Sequence, residues 1–179
     1  RHPPEHAEPV GAAEDRDRYL LLQAKSFDAV GRTDPADGDE KEAFYFLPID
    51  VHSKILIVDD VYLSVGSCNK NNRGVLYEGE LNASVLDATW VREARIRIFA
   101  NLLGPAKAAQ MTDDPIATFD LMKATAAANA EVEAYWVQNG PVMSAPQVDV
   151  AAQTHRPDGF LYPLEFTKDY LLDVGPDAF

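Results

Sequence analysis

The chain of 179 residues has no internal repeat and can bury one sizeable core, which fits one domain or one half of a bilobal protein. Hydrophobic residues at 46% and charged residues at 25% are ordinary for a soluble globular protein, and no apolar run approaches the roughly 18 residues of a membrane span, so transmembrane and disordered classes are excluded. A net charge of −13 argues against a surface that gains affinity by neutralising nucleic-acid phosphates, while leaving room for a small anion site.

Residues 1–18 are rich in Pro, Glu, Ala and Asp with little to bury, and are expected to form a loosely held leader or a cut loop end. They lack the layout of a signal peptide and begin on Arg1 rather than Met, as expected of a processed chain. The domain proper then runs over 19–179. Tyr19 to Phe27 predicts a short strand, and residues 29–43 concentrate Gly, Pro and Asp, the chemistry of a surface loop. Phe44 to Val58 is dense in β-branched and aromatic residues and predicts one strand, which turns at Asp59-Asp60 into a return strand ending near Ser67; Glu80 to Leu86 predicts a third.

A helix follows from Asp87, with Trp90, Ala94, Ile98 and Leu102 at helical spacing and Gly104-Pro105 as its stop. The next helix has Asp114 as cap, Pro115 in its first turn, an apolar series at Ile116, Phe119, Met122 and Ala126, and a stop at Asn139-Gly140-Pro141. From Val142 onward the chain is expected to wrap the surface. Cys68 is the one cysteine, so neither an internal disulfide nor a thiolate metal cluster can form. Charge is unevenly spread: residues 51–104 carry 6 basic and 6 acidic groups, whereas both flanks are strongly acidic and repel anions.

The polar residues of the neutral middle are the chemical signal. His52 and Lys54 are two apart, so a strand sets them on one face together with Asp50. Ser67 and Asn69 share a face of the return strand, and Glu80, Asn82 and Ser84 share one on the third. A lone strand histidine is more often a hydrogen-bonded core residue than a catalyst, and a lone lysine usually snorkels to water. The combination HxKxxxxDxxxxxxGSxN, read from His52 to Asn69, is more specific, because five polar residue types and a glycine recur at set offsets.

This pattern resembles the HKD motif of the phospholipase D superfamily. Asn72-Arg73, with Glu80 seven residues after the arginine, looks like that family's downstream segment, and VREARIRIFANLLG looks like its helix running to a leucine-glycine end. The likeness covers about residues 47 to 104, a little under a third of the chain, and HSKILIVDD is most similar to the bacterial phosphatidylcholine-type enzymes. Cys68 and Lys70 stand where that family usually has small or apolar residues, and Gly74 where Ser is common.

The resemblance implies an α/β fold, a phospholipase D-like mixed sheet flanked by helices, forming the C-terminal lobe of a bilobal enzyme that hydrolyses a glycerophospholipid to phosphatidic acid through a phosphohistidine. The chemistry suits these residues. Cleaving a phosphodiester requires neutralising its nonbridging oxygens, a nucleophile, and an acid for the departing alkoxide. Lys54 supplies a point charge, and Ser67 and Asn69 can donate hydrogen bonds to phosphoryl oxygens. The His52 imidazole can attack phosphorus when neutral or protonate the leaving oxygen when charged. Glu80 is expected to hold its other ring nitrogen. Asp59, placed by the motif in the catalytic set, has the opposite strand parity and is expected to brace the turn. No metal or other cofactor is expected, because lysine, histidine and hydrogen-bond donors supply the needed charge.

In-line displacement needs groups on opposite sides of phosphorus, so a second HxK motif is required, and the family carries two. None other occurs here: His155 lacks the lysine, and His2 and His6 lie in the leader. About 46 residues precede the likeness, over half of them polar loop, so the front of the domain is expected to be missing. The expected partners are a phospholipid at a membrane surface and a complementary N-terminal half, or failing that a homodimer mate, with no nucleic acid. The favoured location is secreted or periplasmic, peripheral to the membrane. Phe160, Tyr162, Phe166 and Tyr170 are read as core rather than interfacial aromatics. The rival readings are a superfamily nuclease, a cardiolipin synthase-type phosphatidyltransferase and a non-catalytic phosphate-binding scaffold.

Overall fold

The computed structural model describes residues 20–30, 43–69, 74 and 76–164. The expectations for the leader, for Lys70 and Asn72-Arg73, and for Phe166 and Tyr170 lie outside these residues. Six strands, β1 (Leu22–Ala29), β2 (Phe44–Ile49), β3 (Lys54–Val58), β4 (Tyr62–Gly66), β5 (Asn82–Leu86) and β6 (Leu161–Pro163), form two three-stranded antiparallel sheets in the orders β2-β1-β6 and β3-β4-β5. The helices are α1 (Ala88–Leu103), α2 (Pro105–Ala108), α3 (Pro115–Asn139) and α4 (Ala145–Thr154), with a 3-10 turn at Gly140–Val142 between the last two. The protein is α/β, but the described strands make two antiparallel sheets and not one mixed sheet.

The division originates in the run from Phe44 to Val58, which is two strands and not one. In β2, Pro48 opposes Lys25 of β1, and β2 is an edge strand, where a residue without an N–H is tolerated. The chain leaves that sheet after Ile49, crosses by residues 50–53 and enters the second sheet at Lys54. β1 is also displaced from its expected span: it starts at Leu22 and runs to Ala29.

Both long helices start and stop where their caps dictate. The Asp87 carboxylate accepts from the Thr89 and Trp90 amides at 3.0 Å, and Gly104 ends α1 in the left-handed region at φ 78°, which glycine adopts without strain. Asp114 caps α3 through the Ile116 amide at 2.8 Å. Their inward faces match the expected stripes in part, at Leu102, Met122 and Ala126, which pack in the core. α1 buries Val91, Arg95 and Leu103, leaving Trp90 half exposed; α3 buries Thr118, Thr125, Ala126, Asn129 and Trp136, leaving Ile116 outside. Polar residues belong to these faces because each has a partner, as buried polar groups must.

Those partners also correct the reading of the C-terminal third. Asn129 Nδ2 donates to the carbonyls of Asp158 and Leu161, both at 2.8 Å, while its Oδ1 accepts from the Asp158 amide at 2.9 Å. Trp136 Nε1 donates to the His155 carbonyl at 2.7 Å. The segment after Val142 is therefore tied to the core, not wrapped over it. Val148 and Ala151 of α4 pack with Trp136 and Ala43, flanked by Phe27, Phe44 and Phe46, and Leu161 of β6 packs with Leu103 and Ala126.

Tyr162 is a core residue at 1% exposure, whereas Phe160 is exposed. Lys25 closes this region, donating to both Glu133 carboxylate oxygens at 2.7 and 2.8 Å, with its ammonium 5.2 Å from the Tyr162 ring centre. The Tyr162 hydroxyl has no partner among the described residues. Burial first, and the Glu133 charge second, push its phenol above the usual tyrosine range. Ionising this phenol costs more in the fold than in the unfolded chain, so stability is independent of it below about pH 10 and falls as pH rises further. Tyr162→Phe should leave the melting temperature at pH 7 unchanged or raise stability by about 1 kcal/mol, and should blunt the alkaline loss of stability; marked destabilisation at pH 7 would reveal a hidden partner for the hydroxyl.

The second sheet is unusual in what it leaves uncovered. One face carries Ile55, Ile57, Leu63, Val65, Ala83 and Val85, all apolar; the other carries Lys54, Leu56 and Val58 beside Ser64, Tyr62 and Ser84. Consecutive apolar residues in β3 are the pattern of a strand buried on both sides, yet Ile55, Leu56 and Val58 are each about 40% exposed. Among the described residues no helix is long and apolar enough to cross a membrane.

Candidate functional site

The β3–β4 hairpin has two ends with different jobs. At the turn, Asp59 and Asp60 have φ of 51° and 54°, and the Val61 amide donates to the Val58 carbonyl at 3.0 Å, the pattern of a type I′ turn that follows strand twist. Asp59 is exposed there, roughly 15 Å from Lys54 at a strand rise of about 3.3 Å per residue. It occupies the turn it was expected to brace, at the end of β3 away from His52.

Asp60, which the motif did not single out, fastens the hairpin to the helices. Arg95 donates from Nε to Asp60 Oδ1 at 2.7 Å and from Nη2 to Oδ2 at 2.9 Å, a bidentate pair, and also reaches the Thr118 hydroxyl at 3.0 Å and the Asp113 carbonyl at 2.7 Å. The guanidinium is 4% exposed. Reading the α1 stripe from Val91 instead of Trp90 places Arg95 one turn along on the inner face, and a buried arginine demands an acid. That was the available signal.

At the other end, Lys54, Gly66 and Asn82 lie abreast on β3, β4 and β5. Pairing continues one step past the strands, since the Ser67 amide donates to the Leu81 carbonyl at 3.0 Å and the Leu81 amide donates to Ser67 Oγ at 3.1 Å. Three chain segments, 52–54, 66–69 and 80–82, therefore meet at one sheet end. Within them the details differ from a pure strand reading. Asp50 and His52 precede β3, Ser67 and Asn69 follow β4, and Glu80 precedes β5, so alternation of strand faces does not govern them. What joins His52 to Lys54 is instead a hydrogen bond: Lys54 Nζ donates to the His52 carbonyl at 2.9 Å. His52, Ser67 and Asn69 are exposed, and Glu80 is half-buried.

The Ser67 hydroxyl accepts from the Leu81 amide at 3.1 Å and donates to the Leu81 carbonyl at 3.4 Å, a long bond that a stronger incoming acceptor would displace. Two glycines allow the segments to approach this closely. A Cβ at Gly66 would overlap the Leu81 carbonyl and Asn82 Oδ1, and one at Gly74 would overlap the Asn69 carbonyl. Gly74 thus has a packing reason to differ from the serine common in the resembling family. Cys68 likewise is buried, with Sγ 3.3 Å from the Asn69 carbonyl, and serves as the small core-facing side chain between two exposed polar ones.

Among the described residues no three His, Cys, Asp or Glu side chains are grouped to share a metal ion. His155 has the packing role expected of it: its ring stacks on Tyr135 at 3.6 Å and 6°, with Nδ1 2.9 Å from the Thr154 hydroxyl. Compared with known proteins, the chain matches no family model and no curated relative.

Proposed function

We propose that the chain is the C-terminal catalytic lobe of a phospholipase D-type phosphodiesterase, hydrolysing a glycerophospholipid such as phosphatidylcholine or phosphatidylethanolamine to phosphatidic acid and the head-group alcohol, with transfer to another alcohol as a side reaction. The observation that carries the reading is the meeting of segments 52–54, 66–69 and 80–82 at one sheet end, with His52, Lys54, Ser67, Asn69 and Glu80 among their residues in the spacing of the resembling motif. Lys54 neutralises a nonbridging oxygen, and Ser67 and Asn69 donate to the others as negative charge builds on phosphorus. By resemblance to the second of the family's two motifs, His52 is the general acid, while Glu80 lies in an adjoining segment without a hydrogen bond to its ring.

The step then balances as follows. A histidine of the companion motif attacks phosphorus and forms an N–P bond; the P–O bond to the head group breaks; His52 gives that oxygen its proton. Water, deprotonated by His52, attacks the phosphohistidine, releasing phosphatidic acid and the free imidazole. One chain cannot span both sides of phosphorus with a single HxK, so the companion motif belongs to a complementary N-terminal half or a second copy. The partly uncovered β3–β5 sheet supports such a neighbour, because apolar strand residues at this exposure gain from being covered.

The nuclease reading is disfavoured by the acidic flanks. The test is substrate competition in the native assembly. Choline release from phosphatidylcholine vesicles is expected, together with DNA affinity too weak to show the steep salt slope of phosphate neutralisation; DNA cleavage without choline release would overturn the reading.

A further inference from the structure

An apolar cavity lies outside the set of residues that the phosphate chemistry uses. It has a volume of about 630 Å³, within the size range of small-molecule pockets, and lies between the start of β1, α1 and α3. Leu21, Phe99, Leu102, Phe119 and Met122 line it, and so does Val51, the residue that precedes His52 in the chain.

Three polar residues also line it, and each is already hydrogen-bonded within the protein. Arg95 is held by Asp60, Thr118 and the Asp113 carbonyl; the Thr118 hydroxyl donates to the Asp114 carbonyl at 3.0 Å; Gln23 Nε2 donates to the Pro163 carbonyl at 2.9 Å. The one charge in the wall is matched by Asp60. Such a wall offers an occupant apolar contact and little else, so a polar or charged ligand would lose its hydration without replacement. An occupant that is apolar along its length and whose polar end emerges beside His52 is what the lining and its position fit.

We infer that this cavity holds an aliphatic chain of the substrate, with the attached phosphate reaching the His52 and Lys54 end of the second sheet. The inference rests on the phosphodiesterase reading for the polar end, and on the cavity alone for the chain. It makes chain length a determinant of affinity: each added methylene that enters removes the same apolar surface from water and tightens binding about fourfold.

The full chain is titrated with octyl-, decyl- and dodecylphosphocholine, each below its micelle concentration, while the methionine methyl groups are followed by NMR. Affinity should rise about fourfold per methylene, and the Met122 methyl should shift while that of Met143, packed in the Trp136 cluster, stays in place. Met122→Trp, which fills the space, should weaken dodecylphosphocholine binding at least about tenfold. In His52→Ala all three affinities should fall by a common factor, if they fall, with the dependence on chain length intact. That separates the two readings, because the slope reports the cavity and the common factor reports the phosphate site. Affinity independent of chain length, or equal shifts at Met122 and Met143, would overturn the inference even if His52 proves catalytic.

Discussion

In the native assembly, His52→Ala should reduce the proposed choline release from phosphatidylcholine vesicles by at least about a thousandfold, with the fold preserved. Removing a positioned acid alone forfeits about 10² to 10⁴ in rate, and in the proposed mechanism the same imidazole also activates the water of the second half-reaction. His52 is exposed and no side-chain hydrogen bond of its ring is among the interactions described, so its loss removes little packing. The expected companion result is an unchanged melting temperature and circular dichroism spectrum. Turnover within tenfold of wild type would remove His52 from the chemistry.

The second large effect is on stability and lies far from the phosphate site. Asp60→Ala leaves the Arg95 guanidinium buried without its acid, and breaking a buried pair this way costs about 3–5 kcal/mol. Because the Asp60–Arg95 contact ties the β3–β4 turn to α1 and, through Thr118, to α3, the loss also loosens the hairpin that carries Lys54 and Ser67. Denaturant unfolding should show the midpoint moving down sharply. Replacing both residues, Asp60→Leu with Arg95→Met, should recover much of the loss, since the pair is then removed together. A single Asp60→Ala variant as stable as wild type would show that the ion pair contributes nothing to the fold.

How much of this was legible before the structure depends on which physics each residue obeys. Helix ends were readable because caps are local: Asp87, Gly104, Asp114 and Pro115 act within a few residues of themselves. The split of Phe44–Val58 was not, because β-propensity is continuous across it and only the pairing of Pro48 at a sheet edge and the crossing at 50–53 separate the strands. α4 and β6 were missed for a related reason. Their segment is short and punctuated by Pro and Gly, and what draws it inward is tertiary, namely Asn129 and Trp136 reaching it from α3.

At the candidate site the residue types and their grouping were readable from spacing, while the route to the grouping was not. Strand parity was the expected device. The structure uses a Lys54–His52 carbonyl hydrogen bond and a Ser67–Leu81 pair beyond the strand ends instead. At Asp59 strand parity was the better guide: the residue was expected to brace the turn, and its backbone conformation is that of a turn residue.

The most direct test of the anion site uses inorganic phosphate as the probe and the nitrogen resonances of the His52 ring as the readout. Titration of the full chain should give a saturable shift at His52, with His155, stacked on Tyr135, unmoved, and Lys54→Met should weaken the binding at least about tenfold. No response at His52, or the same affinity with and without the Lys54 ammonium, would contradict a phosphate site at this end of the sheet.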